Sequence, residues 1–256
     1  MSEFYNAQRK RNLFDPKSKK SFRLSRSKLE LFKGCPLCFY LDRRLGVARP
    51  DSPPFNLNLA VDKLLKKEFD IYRAAQTAHP IMVQHGLNLV PFQHEKMEEW
   101  RDALRRGIQY LHKPTNLLIT GGIDDIWATP LGLVSPRELF IADYKATAKQ
   151  GEVNLDAEWQ KAYKRQMEIY QWLFRMNMFK VSNTSYFVYC NGNTDKERFG
   201  GKLEFSLTLL PYEGDDSWVE QVIVDAHKCL MSDELPSSGD NCDFCDYRKA
   251  IEQHRA

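Results

Sequence analysis

An apolar stretch at residues 139–142 runs directly into Asp143, Tyr144 and Lys145. Because successive side chains of a β-strand point to opposite faces, Asp143 and Lys145 are predicted to project from one face, about 7 Å apart. A second apolar stretch upstream ends at Asp124. If the two stretches pair as neighbouring strands, Asp124 joins the other two. Clustered carboxylates bind Mg²⁺ or Mn²⁺, and a nearby ammonium can steady the water or the phosphate charge in phosphodiester hydrolysis.

A glutamine and a tyrosine four residues apart mark the helix predicted after this strand. Gln166 and Tyr170 lie in an amphipathic stretch, residues 157–178, and share one helix face with Tyr163 and Phe174. Tyrosines at this spacing are usually core residues. A glutamine fits a core less well, because its amide needs hydrogen-bond partners once it is buried.

Three short motifs follow one another along the chain: Gly-x-Ile-Asp at 121–124, Asp-x-Lys at 143–145 and Gln-x-x-x-Tyr at 166–170. Alone, an Asp-x-Lys tripeptide is usually a solvated strand end. In this order and spacing, the motifs resemble the PD-(D/E)xK nuclease superfamily in its RecB-like branch, which includes the CRISPR-associated RecB-like exonucleases. The resemblance extends from Ser-x-Ser-x-Leu at 25–29 to Cys-x-x-Cys-x-Tyr-Arg at 242–248, and so covers residues 24–250.

The resemblance implies an α/β (α+β) fold with a restriction-endonuclease-like core, in which helices flank a central mixed sheet, and a helical insertion. It implies a DNA nuclease, an exonuclease dependent on Mg²⁺ or Mn²⁺, that acts in DNA repair, recombination or defence. Lys145 would orient or activate the water, and Gln166 and Tyr170 would bind the strand or support the site. The implied core metal ligands are Asp124, Asp143 and the backbone carbonyl of Tyr144.

Asp62 stands where the branch often carries a metal-binding histidine. In the family this histidine lies on an early helix in front of leucines, and the register of residues 59–65 matches it. Aspartate is also a ligand for hard cations, so Asp62 is a candidate metal ligand. Two alternatives stay open: Asp62 is only the polar edge of its helix, or Glu68 is the carboxylate that completes the site.

Four of the six cysteines form two Cys-x-x-Cys pairs, Cys35 with Cys38 and Cys242 with Cys245. Such pairs are typical ligands of zinc and of iron–sulfur clusters. Iron–sulfur members of the branch place one cysteine early and three late, which differs from the arrangement here. The resemblance implies a [4Fe–4S] cluster, bare four-cysteine chemistry favours Zn²⁺, and two metal-free thiol pairs form a third alternative.

Composition and charge limit the remaining possibilities. At 256 residues and 43% hydrophobic content, the chain is long enough for one sizeable domain, and no apolar stretch approaches 18 residues. We therefore expect a cytoplasmic protein that does not bind a membrane. Sparse cysteines without a secretory segment argue against a disulfide framework. Nine basic and two acidic residues among the first 28 predict a flexible basic arm, which either neutralises phosphates or only aids solubility.

The predicted organisation is an arm at 1–23 and a single domain at 24–256. That domain has an all-helical elaboration at about 50–115, a catalytic core at about 116–212, and a C-terminal helix with the second cysteine pair at 215–250. Histidines 79, 85, 94 and 112 are predicted to be surface groups, and Cys190 and Cys229 ordinary buried cysteines. Helices are predicted at 24–45, 56–75, 94–110, 157–178 and 216–231, a catalytic hairpin at 116–147, and strands at 184–190 and 202–210.

Two other functions remain open from the sequence. One is a catalytically degenerate nuclease fold that serves as a DNA-binding or scaffold subunit, although the intact Asp124, Asp143 and Lys145 argue against it. The other is an enzyme that acts on RNA. The expected partners are DNA and a helicase or other recombination or defence proteins.

Overall fold

The computed structural model describes residues 11–50, 55–134 and 136–254. The chain divides into two compact units. The terminal unit consists of the described parts of Met1–Pro53, Tyr110–Thr120 and Ser217–Ala256. The central unit consists of the described parts of Pro54–Gln109 and Gly121–Asp216.

The secondary structure alternates between helices and strands along the chain. A π-helical turn spans Leu41–Leu45 and a 3₁₀ turn spans Glu158–Gln160. The strands are β1 (Phe22–Ser25), β2 (Val90–Pro91), β3 (Ile108–His112), β4 (Leu117–Gly121), β5 (Asp125–Ala128), β6 (Leu139–Thr147), β7 (Thr184–Gly192) and β8 (Phe205–Glu213). The α-helices are α1 (Arg26–Gly34), α2 (Pro36–Tyr40), α3 (Asn56–Ala75), α4 (Pro80–Gln84), α5 (Met97–Arg101), α6 (Lys161–Met176), α7 (Val219–Met231) and α8 (Asp243–Gln253).

The terminal unit contains a three-stranded sheet in the order β1-β4-β3. β1 and β4 run parallel, with Leu24 opposite Ile119, and both side chains are fully buried. Phe14 is also buried, and its amide donates to the Arg43 carbonyl (2.8 Å). Residues 1–10 of the predicted arm lie outside the described residues.

The helix predicted at 24–45 is interrupted. Leu24 belongs to β1, α1 ends at Gly34, and Cys35 is extended with φ −161°. Pro36 explains the interruption, because a residue that precedes proline is pushed out of the α region, while proline itself is favoured in the first helical turn. The break places Cys35 immediately before α2 and Cys38 within it.

The central unit contains a five-stranded mixed sheet in the order β2-β5-β6-β7-β8. β6 and β7 are parallel, and the other neighbouring pairs are antiparallel. Phe69 of α3 packs near Tyr144 on one face of β6, whereas Gln166 of α6 hydrogen-bonds Asp143 on the other. The predicted fold class, a mixed sheet flanked by helices, is confirmed.

The strand pairing predicted for the catalytic hairpin is wrong in one respect. β4 pairs with β1, whereas β6 pairs with β5 in a register that sets Asp125 opposite Ala142. The chain leaves β4 through a crowded glycine. A Cβ at Gly122 would lie 2.3 Å from the Cβ of Ala103, so only glycine fits there. Asp124 therefore lies in a short connection, one residue before β5.

The helix predicted at 94–110 is also wrong beyond its first turns. α5 ends at Arg101, and the chain returns through Gly107, which has φ +75°. A Cβ at Gly107 would lie 2.3 Å from the carbonyl oxygen of Gly121. Leu104, which the helical pattern places on the apolar face, is 91% exposed. With β2 and β3 also present, the segment at about 50–115 is not all-helical.

Other local predictions have clear outcomes. α3 has the predicted bounds, and the strands predicted at 184–190 and 202–210 correspond to β7 and β8, which pair antiparallel. His79 and His112 are buried rather than surface groups; His112 hydrogen-bonds with Thr115 (2.7 Å) and Glu220 (2.6 Å). Cys190 is buried as predicted and Cys229 is half-buried. None of the described helices is long and apolar enough to cross a membrane.

Candidate functional site

β6 carries the two charged residues from which the site is built. Asp143 is fully buried, and the Lys145 ammonium contacts its Oδ2. The two side chains project from the same face of β6, as the alternation of strand side chains predicts. Apart from this ion pair, the buried Oδ2 of Asp143 accepts no hydrogen bond from the described residues.

α6 holds Asp143 from the other side. Gln166 Nε2 donates to Asp143 Oδ1 (2.6 Å) and lies 3.4 Å from the hydroxyl of Tyr170. That hydroxyl donates to the carbonyl of Gly122 (2.5 Å), in the connection that leads to Asp124. The presence of Gln166 on the apolar face of α6 is thus explained by its hydrogen bond to the buried Asp143 carboxylate.

Asp124 is tied to β6 through backbone and side-chain contacts. Its Oδ2 accepts the amide N–H of Tyr144 (3.0 Å), and its Oδ1 accepts a bond from Lys66 Nζ (3.0 Å). Asp124 therefore contacts β6, although β4, the strand that precedes it, does not pair with β6. The predicted role of the Tyr144 carbonyl as a metal ligand stays a prediction.

α3 contributes Asp62 and Lys66, one turn apart. Lys66 Nζ bridges Asp62 Oδ2 (2.8 Å) and Asp124 Oδ1 (3.0 Å). Asp62 is thereby brought to the site, as its place in the sequence predicts. Glu68 is not, because its carboxylate points elsewhere and hydrogen-bonds with His79 Nε2 (2.9 Å).

The three aspartates and two lysines of this site shift one another's pKa values. Burial is the main cause that raises the pKa of Asp143 to about 7; Lys145 opposes this rise and Asp124 adds to it. Burial also disfavours the charge on Asp124, but Lys66 and Lys145 outweigh it and hold its pKa below the ordinary value. Burial and the charge of Asp124 raise the pKa of Asp62.

Three carboxylates are a ligand set that suits a hard divalent cation. With two ammoniums among them, the fully ionised cluster has a formal charge of −1, so it retains a net attraction for cations. Lys66 already pairs with an oxygen of Asp62 and an oxygen of Asp124, and Lys145 already pairs with an oxygen of Asp143. Among the described residues, only the four paired cysteines bring one ligand atom each within 4.8 Å of one another, so the aspartates are more widely spaced.

Sequence reasoning does not identify Arg101, which fixes the backbone at Asp124. Arg101 Nε donates to the Asp124 carbonyl (3.1 Å), and its Nη1 donates to both carboxylate oxygens of Asp70 (2.9 Å each). The Arg101 side chain is 8% exposed and so is shielded from solvent. Arg101 thus positions a candidate metal ligand without touching its carboxylate.

Asp125, the neighbour of Asp124, is another residue that sequence reasoning misses. It is fully buried, forms an ion pair with Arg73 and accepts the Tyr144 hydroxyl (2.7 Å). One signal was available: Arg73 follows Phe69 by four residues on the buried stripe of α3. An arginine in that position requires a buried counter-charge.

Two cavities border Lys145 and Tyr163. One, of about 490 Å³, is also lined by Asp62, Asp124 and the exposed Phe55. The other, of about 160 Å³, is also lined by the exposed Trp159. The Lys145 ammonium lies 4.4 Å from the centroid of the Tyr163 ring. Asp62, Asp124 and Lys145 therefore border open space with aromatic rings beside it, whereas Asp143 is fully buried.

The terminal unit brings all four paired cysteines together. Their sulfurs lie 3.7 Å apart between Cys35 and Cys245, 3.7 Å between Cys38 and Cys242, and 3.6 Å between Cys38 and Cys245. All four side chains are buried. Burial opposes the thiolate of Cys35, but hydrogen bonds from the Gly239 and Cys38 amides lower its pKa to about 6.

A comparison with known families covers nearly all of the chain. A model of the PD-(D/E)XK nuclease superfamily matches residues 23–250. The chain belongs to the PD-(D/E)XK nuclease superfamily. No curated protein matches it. The predicted superfamily is thus confirmed, while the RecB-like branch stays a prediction.

PD-(D/E)XK nucleases use divalent metals, which agrees with the oxygen ligands of this site. Asp124, Asp143 and Lys145 lie within the matched residues, and their assignment to the motif of the superfamily stays a prediction. The cluster of the four cysteines lies within the matched residues, but the identity of any metal there is not given by membership of the superfamily.

Proposed function

We propose that this protein is a Mg²⁺- or Mn²⁺-dependent deoxyribonuclease that hydrolyses phosphodiester bonds. The observation that carries the proposal is the convergence of Asp124 on the face of β6 that carries Asp143 and Lys145, the motif residues of a nuclease superfamily. A fold kept only as a scaffold has no need for a buried carboxylate whose pKa is raised, and clustered groups of this kind are typical of functional sites.

Asp62, Asp124, Asp143 and the Tyr144 carbonyl would hold the cation. When bound, it supplies a Lewis acid that activates water and neutralises the phosphate. Lys66 competes with the cation for one oxygen of Asp62 and one of Asp124. Where the cation displaces it, its ammonium can pair with a phosphate of the substrate.

Lys145 is the residue that we assign to the attacking water. Its ammonium is held against Asp143 and is largely shielded, with a side chain 15% exposed. A positive charge that is fixed in position in such a site stabilises the negative charge that develops in the transition state. Burial lowers the pKa of Lys145, but Asp143 and Asp124 outweigh this and raise it, so the ammonium keeps its proton and orients the water.

Gln166 and Tyr170 act as positioning residues in this proposal. Gln166 orients the Asp143 carboxylate, and Tyr170 fixes the Gly122 carbonyl two residues before Asp124. Both contacts point into the protein, which supports the second of their two predicted roles, support of the site rather than binding of the strand.

Aromatic rings beside the charged cluster favour a DNA strand with unpaired bases. Phe55 is 71% exposed and Trp159 is 63% exposed, and Trp159 meets Tyr163 edge-to-face at 5.3 Å. Stacking on such rings binds bases of any sequence. The exonuclease action, the role in DNA repair, recombination or defence, and the helicase or other protein that supplies strand ends follow from the resemblance to the RecB-like branch.

The test is a cleavage assay on end-labelled single- and double-stranded DNA, and on RNA of the same sequence, with Mg²⁺, Mn²⁺ or EDTA. We expect cleavage of DNA with either cation and none in EDTA. Asp143→Ala should abolish cleavage, whereas Asp195→Ala, a change at an exposed aspartate, should not. Wild-type activity that survives EDTA contradicts the proposal. DNA binding without cleavage under any cation favours the degenerate scaffold instead.

A further inference from the structure

The four clustered cysteines have a spacing that distinguishes a single ion from a cluster. Three pairs of sulfurs, each joining one end of the sequence to the other, are 3.6–3.7 Å apart. All four sulfurs lie within 4.8 Å of one another. For zinc–sulfur bonds of about 2.3 Å, a regular tetrahedron of sulfurs has edges of about 3.8 Å. The three separations of 3.6–3.7 Å match three of the six edges of such a tetrahedron.

A [4Fe–4S] cluster does not fit this spacing. Each of its four thiolates binds a different iron at the corner of a cube of four irons and four sulfides. The cube has to occupy the space between the thiolates, which separates them far beyond sulfur–sulfur contact. Here the sulfurs touch across that space, so a single ion fits between them and the eight atoms of the cube do not.

Groups around the sulfurs also suit a tetrathiolate. Four thiolates and one divalent cation have a formal charge of −2, which needs donors or a counter-charge in a buried site. Arg49 Nη2 lies 3.0 Å from Cys242 Sγ, and the amide N–H of Gly239 lies 3.3 Å from Cys35 Sγ. Arg49 is itself held in place over the ring of Phe244, 4.7 Å from its centroid.

Backbone geometry explains how two distant pairs make one site. In each Cys-x-x-Cys, the first cysteine precedes a helix and the second lies in its first turn, at α2 and at α8. A Cβ at Gly239 would lie 2.1 Å from the Gly34 carbonyl oxygen. Only glycine therefore allows the chain before α8 to approach the chain before Cys35 this closely.

We propose that Cys35, Cys38, Cys242 and Cys245 bind one Zn²⁺ as a closed tetrahedral tetrathiolate, instead of the [4Fe–4S] cluster implied by the resemblance. Zinc is preferred to a single iron because four-cysteine sites of this geometry bind zinc, and zinc stands above iron(II) in the affinity order of divalent metals. The proposal concerns only the terminal unit and does not depend on nuclease activity.

The test is metal analysis of the full-length protein, expressed with both iron and zinc in the medium and purified without oxygen. We expect one zinc per chain, no acid-labile sulfide and no broad visible absorption. Growth with cobalt should give the intense visible bands of a cobalt tetrathiolate. Iron with sulfide, one iron without sulfide, or protein without metal would each overturn the proposal.

Cysteine variants test which thiols bind the zinc. Cys242→Ser should lose zinc and lower the melting temperature, whereas Cys190→Ser, at a buried cysteine outside the cluster, should keep its zinc. If Cys242→Ser does not fold, wild-type protein titrated with a mercurial reagent provides the same information. Zinc release should be complete when four thiols have reacted. Release that tracks the titration of Cys190 or Cys229, or full zinc content in folded Cys242→Ser, contradicts the assignment.

Discussion

The two units gather ligand-type side chains in opposite ways. In the central unit, three carboxylates share their oxygens with two lysines, and two of them, Asp62 and Asp124, border a cavity of about 490 Å³. In the terminal unit, four thiols touch one another, and all are buried. A catalytic metal site needs an open position and ligands that can rearrange, whereas a structural one is closed by its protein ligands. The difference fits the proposed catalytic metal site in the central unit and the proposed structural one in the terminal unit.

A chelator should separate the two sites most strongly. Brief treatment with EDTA is expected to stop cleavage completely, with recovery on addition of Mg²⁺, because the oxygen ligands border an open cavity. Zinc content should stay unchanged over the same interval, because the four thiolates are buried. Zinc measured in the protein fraction checks this, and loss of zinc at the rate at which activity is lost would break the comparison.

Lys145→Ala should have the next largest effect. We expect turnover to fall by about a hundred- to a thousandfold, since one aimed charge typically contributes about 3–4 kcal/mol to the transition state. The Mn²⁺ concentration for half-maximal activity should change little, because the ammonium is not a metal ligand. Lys202→Ala, at an exposed lysine, is the matched control. A variant with near-normal turnover at saturating Mn²⁺ would remove Lys145 from the reaction.

Asp143→Asn should stabilise the metal-free protein at pH 8. The pKa of Asp143 is raised by burial to about 7 from the ordinary 3.8, so its protonated form favours folding. This contribution is complete below about pH 4 and is lost as the pH rises through 7. Asparagine does not ionise, and the variant should gain about 1–4 kcal/mol at pH 8 but not at pH 4.

Urea unfolding in EDTA at the two pH values measures this gain. Asp195→Asn serves as the control because its carboxylate is exposed. Equal stability of Asp143→Asn and wild type at pH 8 would show that the buried carboxylate is compensated by Lys145. Added Mg²⁺ should stabilise the wild type and not the variant.

Asp62→Asn should raise the cation concentration needed for cleavage by roughly tenfold or more, since it removes one anionic ligand. Asp62→His should be tolerated, because the RecB-like branch that the sequence resembles often has a histidine at the corresponding position. Glu68→Gln is the control, as Glu68 hydrogen-bonds with His79 outside the site. A cation titration that is unchanged in Asp62→Asn would leave only Asp124 and Asp143 as carboxylate ligands.

Lys66→Met should have the smallest effect, and in the opposite direction. Its ammonium occupies oxygens of Asp62 and Asp124 that a cation needs, so its removal is expected to lower the required cation concentration a few-fold. Lys67→Met, one residue further along α3 and exposed, provides the control. A higher cation requirement would show that Lys66 arranges the carboxylates rather than competing for them.

Local periodicity predicted the parts of the fold that depend on local geometry. The bounds of α3 and the common face of Asp143 and Lys145 follow from helix and strand periods alone. The gathering of the two cysteine pairs was also predicted, because each pair already holds two sulfurs at ligand spacing.

What could not be predicted depends on long-range pairing. The pattern of β4 is the same whether it pairs with β6 or with β1, and the observed partner is β1. Similarly, the apolar spacing at 94–110 is helical, but α5 ends at Arg101, and Gly107 then approaches the Gly121 carbonyl closely where the chain returns as β3. Lys66 and Arg101 were missed because lysine and arginine are usually exposed residues. Their buried partners can be identified only once the fold is known.

Tyr144, the unnamed middle position of the Asp-x-Lys motif, has consequences for how the motif evolves. Its amide holds Asp124, while its hydroxyl, on the opposite face of β6, holds Asp125. Substitution of Tyr144 would remove one hydrogen-bond donor from the Asp125 carboxylate, which pairs with Arg73 and Arg101. Among homologous sequences, the identity of this position should therefore covary with Asp125 and its arginines, although none of these residues performs the chemistry.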